Sequence, residues 1–173
     1  PVNTVLNFYA NKLGVDYDDK GQIARSGKIN LDSLGELNAL DYYKKSFPKS
    51  LGFEFVKEII LPLIEKYSIS IEDKMHTFTE HIAFQTSLAL PNKSGKILIT
   101  GGGAYNDFLI ERMQFQLPNL KIIIPDKKTL EFKEALIFAL LGILKLRNEI
   151  NVLSSVTGSK NDHCSGVIFE WNF

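Results

Sequence analysis

The 173-residue chain is 45% hydrophobic and carries 20 basic and 20 acidic residues, enough apolar material for one well-buried core and hence one domain. A net charge of zero argues against nucleic acid or an anionic membrane as the main partner. The single cysteine, Cys164, rules out an intrachain disulfide and fits a reducing compartment. The strongest apolar run, residues 135–144, is too short to cross a bilayer, and no signal peptide is visible. A soluble cytoplasmic protein is therefore expected. The chain starts at Pro1 with no initiator Met, just before helical text, so its natural N-terminus is expected to lie elsewhere.

Residues 3–13 have helical spacing in Val5, Leu6, Phe8, Tyr9 and Leu13, with Gly14 as the C′ stop. Residues 15–28 are polar and turn-rich. Asp16, Asp18 and Asp19 superficially suggest a calcium loop, but Lys20 at the fifth position and Gly27 at the twelfth break the pattern. An Asp/Gly turn is the expectation. Lys28 either meets an anion or is solvated. Asn30 caps a helix over 31–38. Pro48, Lys49 and Ser50 introduce another through Leu51, Phe55, Ile59 and Leu63, which Pro62 kinks or ends. Ser50 and Glu54 are one residue too far apart for a capping box, and a structural turn is the favoured reading there.

Residues 71–90 form a long helix with Met75, Phe78, Ile82, Ala83 and Leu88 as its apolar members. Thr77 and Thr79 read as surface residues of this helix. His76 and His81 lie about 140° apart around it and cannot share a metal. After a loop over 91–95 comes the most informative stretch, KILITGGGAYNDFLIER, residues 96–112. A buried strand over 96–100 runs into Gly101, Gly102 and Gly103. Asn106 and Asp107 then open an amphipathic helix carrying Phe108, Leu109 and Met113. Two readings stay open. Bare backbone amides at a helix start suit a phosphate or ribose; equally, a βα turn needing positive φ, capped by Asn106 or Asp107, looks the same. The stretch is neither a Walker loop nor the spaced dinucleotide pattern.

A second strand over 120–124 ends at Pro125-Asp126. Strand, helix and strand make a βαβ unit with parallel neighbours. Residues 128–148 form a helix that is apolar almost all round and so should be buried. On it Glu134 shares a face with Ile137, Phe138 and Leu141. The carboxylate either answers the helix dipole or is buried against a ligand hydroxyl; spacing leaves both open. Hydroxyls over 155–159 suit a sugar, a phosphate or plain solvent. His163-Cys164 lacks partner ligands, so no metal site of protein side chains is assigned. Residues 166–171 are a candidate last strand. Five or six helices against two or three strands make a helix-rich α/β protein. Parallel strands want neighbours and cover on both faces, so the chain looks like part of something larger.

Six segments in order, PVNTVLNFYA, YDDKGQIARSGKIN, FPKSLGFE, ILITGGGAYNDFLIERM, KEALIFALL and SSVTGS, resemble the C-terminal half of the anhydro-N-acetylmuramic acid kinases. That family typically shows a Pro-x-Asn helix opening, an SGK(V/I)N segment, PKSxGxE, CGGGAxN, a VEAxAFA-like helix and an SVTGA tail. FPKSLGFE and GGGAYN at this spacing are the specific part. The resemblance implies a partial ribonuclease-H-like, actin-like ATPase lobe spanning 1–173, with the N-terminal lobe and this lobe's first strands absent. It implies ATP and Mg²⁺ as cofactors, an adenine nucleotide and an amino sugar as ligands, the absent N-terminal lobe as partner, and room for a homodimer. It places Gly101, Gly102, Gly103 and Asn106 at the nucleotide and turns Glu134 toward the sugar. Lys49, Ser50 and Glu54 become signature residues of undefined role, and Tyr105 stands where the family often has His. The family's Gly-Thr-x-Ser-Gly-Thr-Ser-Leu-Asp-Gly motif is absent, and its catalytic aspartate would fall just before Pro1. No catalytic residue is thus assigned, and no kinase activity is expected of this polypeptide alone. The alternatives are a non-enzymatic nucleotide- or amino-sugar-binding module, or another sugar kinase of the same superfamily.

Overall fold

A computed structural model describes residues 2–46 and 49–169, which form two compact units dividing between Pro125 and Asp126. Pro1 and Pro48 of the readings above lie outside the described residues.

The first unit opens with α1 (Val2–Lys12), which buries Val5, Leu6, Tyr9 and Ala10 and ends where Gly14 turns left-handed at φ +81°. The turn-rich stretch that follows contains a short helix the sequence reading missed, α2 (Gln22–Ser26). Asp18 makes it possible, since its Oδ1 accepts from the Ile23 N–H at 2.8 Å and its Oδ2 from Ala24 at 3.0 Å. Asn30 caps α3 (Leu31–Ala39) as expected, accepting from the Ser33 N–H at 2.8 Å. A single turn, α4 (Asp41–Lys44), follows. The helix expected from Leu51 begins at Phe53 and is continuous in direction: α5 (Phe53–Phe55), a π-helical turn (Val56–Ile60) and α6 (Leu61–Glu65). Pro62 explains the π turn. It has no N–H for the ordinary ladder, and the Leu61 N–H reaches back five residues to Val56 O.

Helix α7 (Ile71–Ala89) is the centre of this unit and packs against α1, α2, α3 and α8. Thr77 and Thr79 correct the surface expectation: both are fully buried. Each hydroxyl has a partner, Thr77 Oγ1 accepting from the Asn30 N–H at 2.9 Å and Thr79 Oγ1 donating to Met75 O at 2.8 Å. The main core gathers α1, α6 and α7 around Tyr9, Ile64, Met75 and Phe78. The strands β1 (Gly95–Leu98) and β2 (Leu120–Ile123) pair in parallel, with Ile97 opposite Ile122 and Leu98 opposite Ile123. Helix α8 (Asp107–Gln116) joins them. Leu109 and Met113 of α8 pack with Ala83 of α7, Ile99 and Ile122 in a second, smaller core. An ion pair between half-buried Arg112 and buried Glu80 ties α8 to α7.

The second unit is built on α9 (Lys127–Leu146), capped by Asp126, whose Oδ1 accepts from the Thr129 N–H at 3.0 Å. The expectation that this helix is buried is corrected: none of its residues is, and Leu136, Phe138 and Leu146 are each more than 70% exposed. Within its own unit, one stretch of α9 lies along an open apolar groove of about 630 Å³ with Val152, Val167 and Ile168. One turn, α10 (Ser154–Thr157), and an isolated antiparallel bridge between Val152 and His163 complete the unit. Gly166 to Phe169 do not form the expected strand, and residues 170–171 lie outside the described residues. Asn151 uses up local pairing there, donating to Ser165 O at 3.1 Å and accepting from its N–H at 2.7 Å. Among the described residues no helix is long and apolar enough to cross a membrane.

Candidate functional site

The glycine stretch is a turn with two constrained positions. Gly101, directly after β1, sits at φ +84° and ψ −179°, a conformation that essentially only glycine adopts. Gly102 opens a 3₁₀ turn (Gly102–Tyr105) and approaches α1 so closely that a Cβ would lie 2.9 Å from Asn3 Nδ2. Gly103 has neither constraint, its nearest neighbour to an added Cβ being Leu109 Cδ2 at 4.0 Å. The turn closes through the Ala104 N–H to Gly101 O, 3.0 Å, and the Asn106 N–H to Gly103 O, 3.2 Å. As the first amides of a helical turn, Gly102 and Gly103 have no acceptor within it. Of the two capping candidates, Asn106 is the one used: its Oδ1 accepts from the Leu109 N–H at 2.9 Å, and Asp107 is the first helical residue.

Across from this turn lies a cavity of about 390 Å³. Gly102, Tyr105 and Asn106 form one wall, Asn3, Leu6 and Asn7 of α1 another, and the turn from Tyr17 to Lys20 the third. That third wall is fixed to the first. Gly21 leaves no room for a side chain because a Cβ would overlap the Asn106 amide and lie 2.7 Å from Phe108 Cβ. Lys20 and Gly21 are both left-handed, at φ +55° and +73°, and the turn they occupy closes through the Gln22 N–H to Asp19 O. An Asn-Gly pair suits such a turn; a lysine in this region is strained by roughly 1–2 kcal/mol. Asp18 is spent on capping α2, which bears out the turn reading of this acidic stretch.

A second cavity, about 790 Å³ and mostly apolar, lies beside α7 in the same unit. His81 stands on its wall, fully buried, with Nδ1 2.7 Å from Asn38 Oδ1 and Nε2 2.8 Å from the Tyr43 hydroxyl. Asn38 Oδ1 also accepts from Gln85 at 3.0 Å, so the His81 Nδ1–H is the donor and Nε2 accepts from Tyr43. Burial pushes His81 down from 6.5 to about 4 and Tyr43 up to about 12. His76 is committed elsewhere, its Nδ1–H donating to Ala24 O at 2.9 Å.

Lys49 lines this second cavity, not the glycine-loop one. Its Nζ donates to Tyr42 O at 3.4 Å and Tyr43 O at 3.3 Å, covering the carbonyl end of α4, and lies 5.1 Å over the Tyr42 ring. Ser50 and Glu54 are exposed, with the Glu54 carboxylate folded over Gly52, where a Cβ would sit 2.5 Å from Oε2. Glu134 is exposed on α9, as are Ile137 and Phe138, so the carboxylate is not buried on an apolar stripe. Lys28 uses its N–H on Asp73 Oδ1, 2.6 Å, and keeps an exposed side chain. The hydroxyls over 154–159 are largely engaged locally: Ser154 with Asp162 at 2.6 Å and Thr157 with Ser159 at 3.1 Å. Among the described residues no three His, Cys, Asp or Glu side chains gather into a metal-holding group. Asn7, Tyr17 and Lys20 are cavity residues to which the sequence reading gave no role at a site. The signal for Lys20 was a lysine standing where an Asp-Gly turn prefers Asn.

A family model for anhydro-N-acetylmuramic acid kinase matches residues 1–171. The chain belongs to that family. It is 32% identical over 99% of its length to the anhydro-N-acetylmuramic acid kinase of Aliivibrio fischeri, covering 49% of that protein. It is 36% identical over 93% of its length to that of Francisella tularensis subsp. novicida, covering 45%, and 32% identical over 98% to that of Synechococcus elongatus, covering 48%. The chain thus spans about half the length of the curated relatives it matches.

Proposed function

We propose that the chain is the C-terminal portion of an ATP-dependent kinase acting on 1,6-anhydro-N-acetylmuramic acid in cytoplasmic recycling of cell-wall amino sugars. The observation that carries this reading is a family match over residues 1–171 in a chain whose glycine loop forms the wall of a polar cavity. In the reaction, water adds to the anomeric carbon, the bond from that carbon to O6 breaks, and O6 takes the γ-phosphoryl group, releasing ADP. Such a transfer rests on positioning, charge stabilisation and a base for the water. We assign Gly101, Gly102, Gly103 and Asn106 to the adenine nucleotide. Gly101 supplies a left-handed backbone that favours glycine, Gly102 a close approach to the Asn3 side chain, and Asn106 fixes the loop by capping α8. Glu134, exposed and early in α9, is assigned to the sugar.

Mg²⁺ keeps most of its ligands as water and phosphate oxygens. We therefore place it with the nucleotide phosphates and assign it no side chain of this chain. In this reading the residues belong to a ribonuclease-H-like lobe of the actin-like ATPase kind, completed by that lobe's first strands, with the base just upstream of Pro1, and by an N-terminal lobe; a homodimer is a further expectation.

The test is a chimera in which residues 1–171 replace the matching half of the Francisella relative. ATP-dependent formation of N-acetylmuramic acid 6-phosphate, read by coupled ADP release and mass spectrometry, is the expected result. A folded chimera that transfers phosphate to another sugar, or to none, overturns the assignment.

A further inference from the structure

The Lys20 turn has more structure than a connection between α1 and α2 requires. Lys20 occupies the first of two consecutive left-handed positions, at φ +55° and ψ 14°, and among the described residues the only other non-glycine with positive φ is Asn148. Asn, Asp or Gly would relax this backbone. Strain kept at one residue on a cavity wall is an observation from which function is inferred. The turn is also held in register with the glycine loop, because Gly21 packs against Asn106 with no space for a Cβ. Lys20 is exposed and makes no ion pair among the described residues. Asp18 spends both carboxylate oxygens on backbone amides, whereas Asp19, also on the cavity wall, accepts no such bond among the described residues.

We propose that Lys20 is a phosphate-contacting residue of the glycine-loop cavity, binding the charged end of a nucleoside diphosphate or triphosphate and setting preference for phosphorylated over bare nucleosides. The proposal rests on the nucleotide reading of that cavity given above. A lysine on a tight, anchored turn offers a point charge to a cavity that Gly102 also lines, and charge-assisted hydrogen bonds to phosphate are the strong ones.

The experiment is titration calorimetry of the 173-residue chain with ADP and Mg²⁺. Lys20→Gly removes the charge and relaxes the turn, so it does not put folding at risk; Lys20→Arg keeps the charge. Gly102→Glu and Asn7→Glu each put a carboxylate into the cavity, the second without touching the loop. Expected are a tenfold or greater loss of ADP affinity in Lys20→Gly, retention within about threefold in Lys20→Arg, and loss in both Glu variants. If Lys20→Gly binds like the parent while the Glu variants do not, the lysine proposal falls and the cavity reading stands. Equal weakening in Lys20→Gly and Lys20→Arg overturns the charge argument in the same way. ADP binding that is absent from the parent, or indifferent to both Glu variants, overturns the cavity reading and the lysine proposal with it.

Discussion

Lowering the pH from 7 to 5 should destabilise the first unit through one side chain, His81. The imidazole is buried and neutral, donating from Nδ1 to Asn38 and accepting at Nε2 from Tyr43. Burial depresses its folded-state value from 6.5 to about 4. Within that window the unfolded chain binds a proton that the folded chain refuses. The stabilisation is therefore complete above about 6.5 and is lost as pH falls toward 4. Linkage with those two values gives a loss of about 0.7 kcal/mol between pH 7 and 6, and about 2 kcal/mol between pH 7 and 5. Urea unfolding of the parent and of His81→Gln at pH 7, 6 and 5 isolates the effect, since the two proteins differ only at this side chain. The gap between the two proteins should narrow by about 2 kcal/mol on going to pH 5. The ring itself, followed by ¹H–¹³C NMR, should titrate near 4. A parent–variant gap that does not change with pH, or a ring midpoint at 6 or above, would refute the reasoning. Glu65, held down to about 2, does not confuse the experiment. Burial alone would raise it, but hydrogen bonds from Lys12 and Lys74 outweigh that, and its contribution fades only as pH falls from 4.5 toward 2.

Gly27→Ala should destabilise the fold by at least about 2 kcal/mol in urea, because a Cβ there would land on the Glu72 and Asp73 backbone at the start of α7, where neither side can yield. Asn106→Ala should lower stability by roughly 1–2 kcal/mol by removing the α8 cap, and Asn106→Asp, which keeps an acceptor for the Leu109 N–H, should recover most of it. Glu134→Gln in the Francisella chimera should reduce sugar phosphorylation by tenfold or more, with a melting temperature within about a degree of the parent's, since the side chain is exposed. Equal activity would remove Glu134 from the sugar site.

Periodicity found the longer helices and the parallel pair of strands, because their caps and apolar spacing are local, and missed the four- and five-residue turns α2, α4 and α10. It misjudged which helix lies inside. α9, apolar almost all round, has no buried residue, while α7, with Lys74, His76, Thr77, Thr79, Glu80 and His81 in succession, is the central helix of its unit. The reason is polar satisfaction. Each of these groups meets a partner from another element or from its own ladder: Lys74 meets Glu65, His76 Ala24, Thr77 Asn30, Thr79 Met75, Glu80 Arg112 and His81 Tyr43. Those partners lie 4 to 52 positions away in sequence, so no window of residues displays them. Burying a polar group is unfavourable only when it stays unpaired, and pairing is a property of the tertiary fold. α2 was missed for a related reason. Its stability comes from Asp18, a residue that sequence grammar assigns equally well to a turn.

The candidate site shows the same division. Three glycines before an Asn-capped helix were visible in the sequence, and the structure separates their roles: Gly101 by conformation, Gly102 by its approach to Asn3, Gly103 by neither. The facing walls were not visible, because Asn3, Asn7 and Lys20 reach the loop only through packing. Asn106 links the three parts. Its Oδ1 caps α8, its amide is the surface on which Gly21 rests, and its side chain borders the cavity. A ligand held between Lys20 and the glycine loop would therefore press on the same contact that fixes α2 and α8. Binding should accordingly protect the amides of α2 and of the first turn of α8 from hydrogen exchange together, although those residues are more than 80 positions apart. Protection confined to the glycine loop would mean that the two walls are independent, and that the strain at Lys20 serves the turn alone.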